Sequence, residues 1–281
     1  MNYRHAFHAG NFADVFKHAV IARVLVHLRE KQAAFRVIDT HAGAGLYDLF
    51  GSEAMRTGEW RAGIGRLWAI TVTPAVRALL TPYLESISAV NTGSELRRYP
   101  GSPLLALSLM RPQDRLIACE LESNAAAILA RDLAIDLRAK VVALDGWTAL
   151  NAYIPPKERR GLVIVDPSFE DPDEFSKIAQ HLESAHRKWP TGCYVAWYPI
   201  KARSEPDALA KRIARAGIAK VLRTELLLTP QDPDRLTGAG LIIINPPWRL
   251  PAELKQLLPS LVSALGQAGS GYTLDWLAGE K

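Results

Sequence analysis

Cysteine is scarce in this chain: only Cys119 and Cys193 occur in 281 residues, each inside an apolar run. Two isolated thiols make neither a disulfide framework nor a zinc site and fit buried, reduced side chains. Long hydrophobic runs are missing as well. The most apolar stretches, such as residues 241–244, are far too short to span a bilayer. The opening Met1-Asn2-Tyr3-Arg4-His5 lacks the apolar segment of a secretory signal. Repeats and low-complexity tracts are absent. Excess charge is modest, with a formal net charge of +5 and a pI near 9.2, which permits a phosphate-rich partner without requiring one. These absences lead to the expectation of a cytoplasmic protein with no membrane contact.

What is present is an ordinary globular balance, 48% apolar and 22% charged residues, in a chain long enough to bury a full core. Asn11 is a good helix N-cap, with Asp14 as its reciprocal capping partner. Phe12, Val15, Phe16, Ala19, Val20, Val24 and Leu28 then recur at helical spacing, predicting a helix to about residue 28. A short apolar run, 35–38, ends at Asp39 and opens into a Gly-rich turn. Further on, strands are expected at 116–119, 141–144, 162–165, 193–197, 221–228 and 240–245. Helices are expected between them at 124–137, 147–153, 175–187 and 207–216, with a last one at 251–265. Alternation of this kind predicts an α/β fold with a doubly wound, mostly parallel sheet. The two consecutive strands near the end suggest an antiparallel hairpin at one edge. The gap between Asp39 and the strand at 116 is too long for one crossover. Residues 50–105, with helical patterning at 74–90, read as an inserted helical subdomain in a domain made of 1–49 and 106–281.

Ligands of open parallel sheets bind at the carboxyl ends of the strands, and four such ends here carry suggestive residues. The first is Asp39-Thr40-His41-Ala42-Gly43-Ala44-Gly45, where small residues let the backbone approach a ligand. The second is Glu120, whose carboxylate can accept both hydroxyls of a ribose. Asp145-Gly146 at the third suits the amino group of a bound adenine. The fourth is Asp166-Pro167-Ser168-Phe169, an acid, a proline and an aromatic ring directly after a buried strand. Taken singly, each has a structural explanation: a tight turn, a solvated acid, an Asp-Gly turn, a helix-initiating Asp-Pro. The four together, in order, are far less expected by chance.

The fourth motif suits methylation of an exocyclic amine. The adenine N6 lone pair is delocalised into the ring, so the amine is a poor nucleophile. An oxygen of Asp166 and the carbonyl of Pro167 can accept its two N–H groups, draw the nitrogen towards tetrahedral geometry and stabilise the charge that develops. Phe169 offers a stacking face for a base lifted out of its helix. Asn245-Pro246-Pro247-Trp248 matches this pattern more fully, but it follows the last of the strands expected here, which the sheet should place at an edge away from the first strand. Asp166 is therefore the favoured acceptor. His5, His8, His18 and His41 lack the paired spacing of a metal site.

With the N-terminus, these residues resemble the 23S rRNA adenine-N6 methyltransferase J family (RlmJ). The matching segments span nearly the whole chain: Tyr3–Asn11, Ala13-Asp14-Val15, Lys17-His18, the turn from Asp39, Arg56-Thr57-Gly58-Glu59, Tyr99-Pro100-Gly101-Ser102-Pro103, Arg160-Gly161-Leu162, Trp197-Tyr198-Pro199 and Asn245-Pro246-Pro247-Trp248. The resemblance implies a Rossmann-like methyltransferase with a helical insertion. It implies S-adenosyl-L-methionine as methyl donor, no metal, and 23S rRNA, protein-free or partly assembled, as the partner. His18, His41, Ser102, Glu120, Asp145 and Gly146 would touch the cofactor. Asp166 would accept the proton, and Tyr3 would lie by the substrate base. The chain departs from the family in its catalytic motif, where Asp-Pro-Pro-Tyr is replaced by a sequence with Ser168 and Phe169. Two other readings stay open: an amino-methyltransferase for DNA or protein, and a catalytically impaired RNA-binding module on the same fold.

Overall fold

Asn11 starts helix α1 (Phe12–Arg29) by accepting the N–H groups of Ala13 and Asp14 with its side chain, which satisfies two of the donors orphaned at a helix N-terminus. The expected reciprocal cap does not form. Asp14 instead accepts from the N–H of Gly10 and from His5 Nε2, each at 2.9 Å, because the 3-10 turn His5–Phe7 brings its ring back to the start of the helix. The computed structural model describes residues 4–93, 95–229 and 236–279.

After α1 come β1 (Arg36–Asp39) and the short β2 (Leu46–Asp48). Four helices follow, α2 (Ser52–Thr57), α3 (Glu59–Ala62), α4 (Ile64–Ala69) and α5 (Pro74–Ser88), then β3 (Arg98–Pro100) and α6 (Ser102–Leu109). The alternating part comprises β4 (Arg115–Glu120), α7 (Ser123–Asp132), β5 (Ala139–Ala143), α8 (Gly146–Ala152), β6 (Gly161–Val165), α9 (Glu174–Lys188), β7 (Cys193–Ile200), α10 (Ser204–Arg215) and β8 (Val221–Leu227). The described chain closes with β9 (Gly238–Ile244), α11 (Leu250–Leu265) and β10 (Gly271–Ala278).

The main sheet runs β10-β8-β9-β7-β6-β1-β4-β5. Strands β5, β4, β1, β6 and β7 are mutually parallel. All five residues of β6 are buried, as expected for a strand covered on both faces. The chain moves from β1 outward to β4 and β5, then returns to place β6 on the other side of β1, so the topological switch point lies between β1 and β6. One expectation is corrected here. β9 is not at an edge: it inserts between β7 and β8, antiparallel to both, and β10 takes the edge by pairing antiparallel with β8. The crossover through α10 leaves one strand's width beside β7, and the returning β9 fills it.

Fourteen of the eighteen residues of α1 are buried, so the helix is enclosed on all sides and its charged residues need partners. Arg23 donates two hydrogen bonds to Glu253 of α11, at 2.9 and 2.8 Å, and His27 Nε2 joins the same carboxylate at 3.1 Å. The stretch expected as an insertion contains α2 to α5, bracketed by the antiparallel β2–β3 ribbon. Val76, Leu80, Tyr83, Leu84 and Ile87 of α5 share one apolar core with α1 and α6. Both cysteines are free and buried. Among the described residues no helix is long and apolar enough to cross a membrane.

Candidate functional site

The carboxyl ends of β1, β4, β5 and β6 open into a cavity of about 1120 Å³, at or above the usual range of a single small-molecule site (~300–1,000 Å³) and so roomy enough for a cofactor beside a base. His18, His41, Ser102, Glu120, Asp145, Gly146, Asp166, Pro167 and Phe169 all line it. Tyr3, the remaining residue singled out from the sequence, lies outside the described residues.

The turn after β1 is held by side chains from two other elements. Glu120, at the end of β4, accepts the N–H of Gly43 at 2.8 Å with Oε2 and that of Glu122 at 2.8 Å with Oε1. Each oxygen is thus fixed by one backbone donor and keeps a lone pair for a ligand. The Tyr47 hydroxyl accepts the N–H of Ala44 at 3.1 Å. At Gly43, with φ +63°, a Cβ would come within 2.3 Å of that same hydroxyl, so only glycine fits.

Thr40 Oγ1 donates to the carbonyl of Ile164 at 2.9 Å and meets His41 Nδ1 at 2.8 Å. Since the hydroxyl proton is already used, the partner assigns the proton to His41 Nδ1 and leaves Nε2 as an acceptor. Burial lowers the pKa of His41 to about 4, so the ring is neutral. His18, on α1, is neutral for the same reason, with burial taking its pKa to about 3. Its Nδ1 bonds the Tyr99 hydroxyl at 2.8 Å, and that hydroxyl meets the Tyr83 hydroxyl at 2.9 Å. Helix α5 and ribbon strand β3 thereby fix a residue of the cavity wall.

Asp145 caps α8, its Oδ2 accepting from the N–H and the hydroxyl of Thr148 at 2.8 and 2.9 Å. Among the described residues nothing bonds its Oδ1. A Cβ on Gly146 would lie 2.4 Å from the carbonyl oxygen of Thr40 and 2.6 Å from the His41 ring, so the glycine is required by close approach. The next residue, Trp147, also lines the cavity. Its ring meets His41 edge-on at 5.3 Å and stacks on His181 at 4.7 Å. Sequence reasoning did not single it out, although an aromatic directly after the Asp-Gly turn was the available signal.

Asp166 follows β6. Its Oδ2 is ion-paired with Nζ of Lys17, which also lies 2.9 Å from Asp14 Oδ1. Burial opposes the charge on Lys17, but the carboxylates of Asp14 and Asp166 prevail and raise its pKa above the ordinary lysine value. Burial likewise opposes the charge on Asp14, and His5 and Lys17 overcome it, holding its carboxyl well below the usual range. The buried cation fixes Asp166 through one oxygen, and among the described residues Oδ1 has no hydrogen-bond partner. Lys17 was not given a role from sequence, because its partner lies 149 residues away. Phe169 adopts φ +55°, a conformation that costs a bulky residue roughly 1–3 kcal/mol. Its ring is braced edge-on by Phe175 at 5.0 Å and Trp197 at 5.5 Å.

One more acid sits under the site. Asp39 is fully buried, its Oδ2 lacks a hydrogen-bond partner, and burial lifts its pKa to about 7 against the pull of the Ser102 hydroxyl.

Asn245 is nowhere near this cavity. Because β9 is antiparallel to β7, Ile244 pairs with Tyr194 near the start of β7, at the opposite end of the sheet from Asp166. The Asn245 amide donates to the carbonyls of Pro190 and Gly192, both at 2.8 Å, and its φ of +52° is a conformation asparagine tolerates. The four histidines each have separate partners, and among the described residues no cluster of His, Cys, Asp and Glu has the makings of a metal site.

The family model described as "Ribosomal RNA large subunit methyltransferase D, RlmJ" matches residues 32–278. Two curated proteins named "Ribosomal RNA large subunit methyltransferase J" are similar over the full length of both chains. The one from Haemophilus influenzae is 39% identical and the one from Escherichia coli 40% identical, each over 283 aligned positions. The crystal structure of a Legionella pneumophila protein superposes with a TM-score of 0.87 at 34% identity, covering 95% of this chain and 98% of that one.

Proposed function

We propose that this chain, which belongs to the RlmJ family of large-subunit ribosomal RNA methyltransferases, transfers a methyl group from S-adenosylmethionine to the N6 amino group of an adenine in 23S rRNA. The observation that carries the reading is Asp166, held by buried Lys17 at the end of β6 and facing the same cavity as Glu120 and Asp145.

The cavity's residues fit the cofactor. Glu120 is fixed with lone pairs to spare for the ribose hydroxyls, and the open Oδ1 of Asp145 suits the adenine amino group. Gly146 leaves room that a Cβ would fill, and Trp147 presents a flat ring. Neutral His41 and His18, with Ser102, line the remaining wall. When bound, S-adenosylmethionine would supply an electrophilic methyl, the bond to its sulfur breaking so that S-adenosylhomocysteine is the leaving group. The chain's own part is to hold the amine. Asp166 Oδ1 and the Pro167 carbonyl accept its N–H groups, and Lys17 pairs with the other carboxylate oxygen and orients it. The lone pair is thereby freed, and Asp166 receives the proton released once the new N–C bond has formed. Phe169 supplies the stacking face for the base, and the family resemblance assigns Tyr3 a contact with it. Nothing in this chemistry calls for a metal.

The remaining assignments follow from the same reading. Residues 50–105 form the helical insertion in a methyltransferase domain of 1–49 and 106–281. The substrate is rRNA before or during assembly, met in the cytoplasm. Tritium transfer from labelled S-adenosylmethionine to 23S rRNA, DNA and protein tests the proposal. Label in RNA alone, recovered as N6-methyladenosine, supports it. Label in DNA or protein, or none with the cofactor bound, overturns it.

A further inference from the structure

The segment Arg56-Thr57-Gly58-Glu59 has no part in the chemistry above, yet it adjoins the cavity, since Glu59 bonds His8 and Asn11, both of which line it. Gly51, Glu53 and Ala54, from the start of α2, line the cavity with Arg4 and His8. At the other end of α2, the Arg56 guanidinium lies over the ring of Phe7 at 4.3 Å, and Arg61 lies over the ring of Trp60 at 5.2 Å. Phe50 meets Trp60 edge-on at 5.7 Å, and Arg61 Nη2 is 3.3 Å from the sulfur of Met55. Gly58, with φ +64°, allows this folding, since a Cβ there would sit 2.8 Å from Arg61 Nη1. The Thr57 hydroxyl donates to the carbonyl of Phe7 and ties the patch to the N-terminal turn.

The acids of this segment are already committed. Glu53 pairs with Arg4, and Glu59 is bonded by His8 at 3.0 and 3.1 Å and by Asn11 at 3.0 Å. Among the described residues neither Arg56 nor Arg61 has a carboxylate partner, and both are exposed. A guanidinium held over an aromatic ring by cation–π attraction has its position restrained, and its paired N–H groups match the bidentate geometry of a phosphate. The exposed ring of Phe50 beside it offers a face to an unpaired base.

We infer that Arg56 and Arg61 grip phosphates of the RNA strand flanking the target adenine, and that Phe50, braced by Trp60, forms the adjoining platform for an unstacked neighbour. The inference rests on the rRNA reading above. A base delivered to Asp166 has to leave its helix, and phosphates clamped beside the cavity hold the strand in the everted path.

The test is Arg56→Gln, Arg61→Gln and the double variant of the full chain, assayed with a 23S rRNA transcript over a range of salt. Each single variant should weaken RNA binding about tenfold, the size of one lost charge-assisted hydrogen bond. Each should also flatten the slope of log affinity against log salt by about 0.7. Affinity for S-adenosylmethionine and the Tm should stay at wild-type values. The Arg→Lys pair should recover the salt slope but only part of the affinity. Unchanged RNA affinity and slope in the double variant overturn the inference, as does a lowered Tm with RNA affinity intact, which would make the ring contacts purely structural. Wild-type protein methylating RNA while the variants behave normally removes this inference alone. Wild-type protein methylating no RNA removes the rRNA reading and this inference with it.

Discussion

Lys17 of α1 is ion-paired with Asp166 at the end of β6, and both side chains are largely buried. Removing the cation leaves two buried carboxylates, Asp14 and Asp166, without their partner, and breaking a buried pair in this way costs about 3–5 kcal/mol. Lys17→Met should therefore lower the Tm sharply and abolish turnover, while Lys17→Arg keeps a measurable part of both. The pH dependence has a defined sign. Asp14, held well below its unfolded value of 3.8, contributes stability above that value and loses it only as pH falls through its lower folded pKa. In Lys17→Met this depression shrinks, so the acid-unfolding midpoint should move to higher pH. An unchanged midpoint would show that the lysine does not hold the cluster together.

Glu120→Ala should weaken S-adenosylmethionine binding by roughly 1.5–3 kcal/mol, the range for a hydrogen bond to a charged group, with Glu120→Gln in between. Calorimetry reads this directly. Wild-type affinity in Glu120→Ala would move the ribose elsewhere in the cavity.

The cavity-lining acids were legible because each comes after an apolar run: Glu120 ends the largely buried β4 and Asp166 directly follows the fully buried β6, whereas Asp145 lies two residues past β5, an edge strand that is only partly buried. The placement of β9 was not legible. Strand order is decided by which gaps the crossovers leave, and no local pattern encodes that. The structure places Asp166 at the cavity and Asn245 away from it, but it is strand direction and not the expected edge position that separates the two. The strands β2, β3 and β10 went unseen, the first two for being three residues long. Helix α7 stops at Asp132 and not at 137, because the Arg138 N–H and guanidinium close a turn on Asp136. Lys17 looked like one more helix residue until its distant partner came into contact.

Asp39 gives a second pH prediction. Burial raises its folded pKa from 3.8 to about 7, so its contribution to stability is full below the unfolded value and is lost as pH climbs towards 7. Asp39→Asn, uncharged at every pH, should match the wild-type Tm near pH 4 and exceed it increasingly up to about pH 7. A constant difference between the two melting curves across that window would mean that Asp39 is already ionised in the folded protein.

The most direct test of the central claim compares Asp166→Ala with Asn245→Ala. Asp166 acts on the amine, so its loss should abolish methyl transfer to RNA and leave S-adenosylmethionine affinity nearly intact; Lys17 keeps its pair with Asp14, so the Tm should fall less than in Lys17→Met. Asn245 bonds the carbonyls of Pro190 and Gly192 at the far end of the sheet. Its loss should lower the Tm, by about 1–3 kcal/mol of unsatisfied backbone groups, and leave turnover per folded molecule unchanged. Methyl transfer by the two variants, normalised to folded protein, is the measurement. An inactive Asp166→Ala beside an active Asn245→Ala is the predicted result, and an active Asp166→Ala beside a folded but inactive Asn245→Ala would contradict the account.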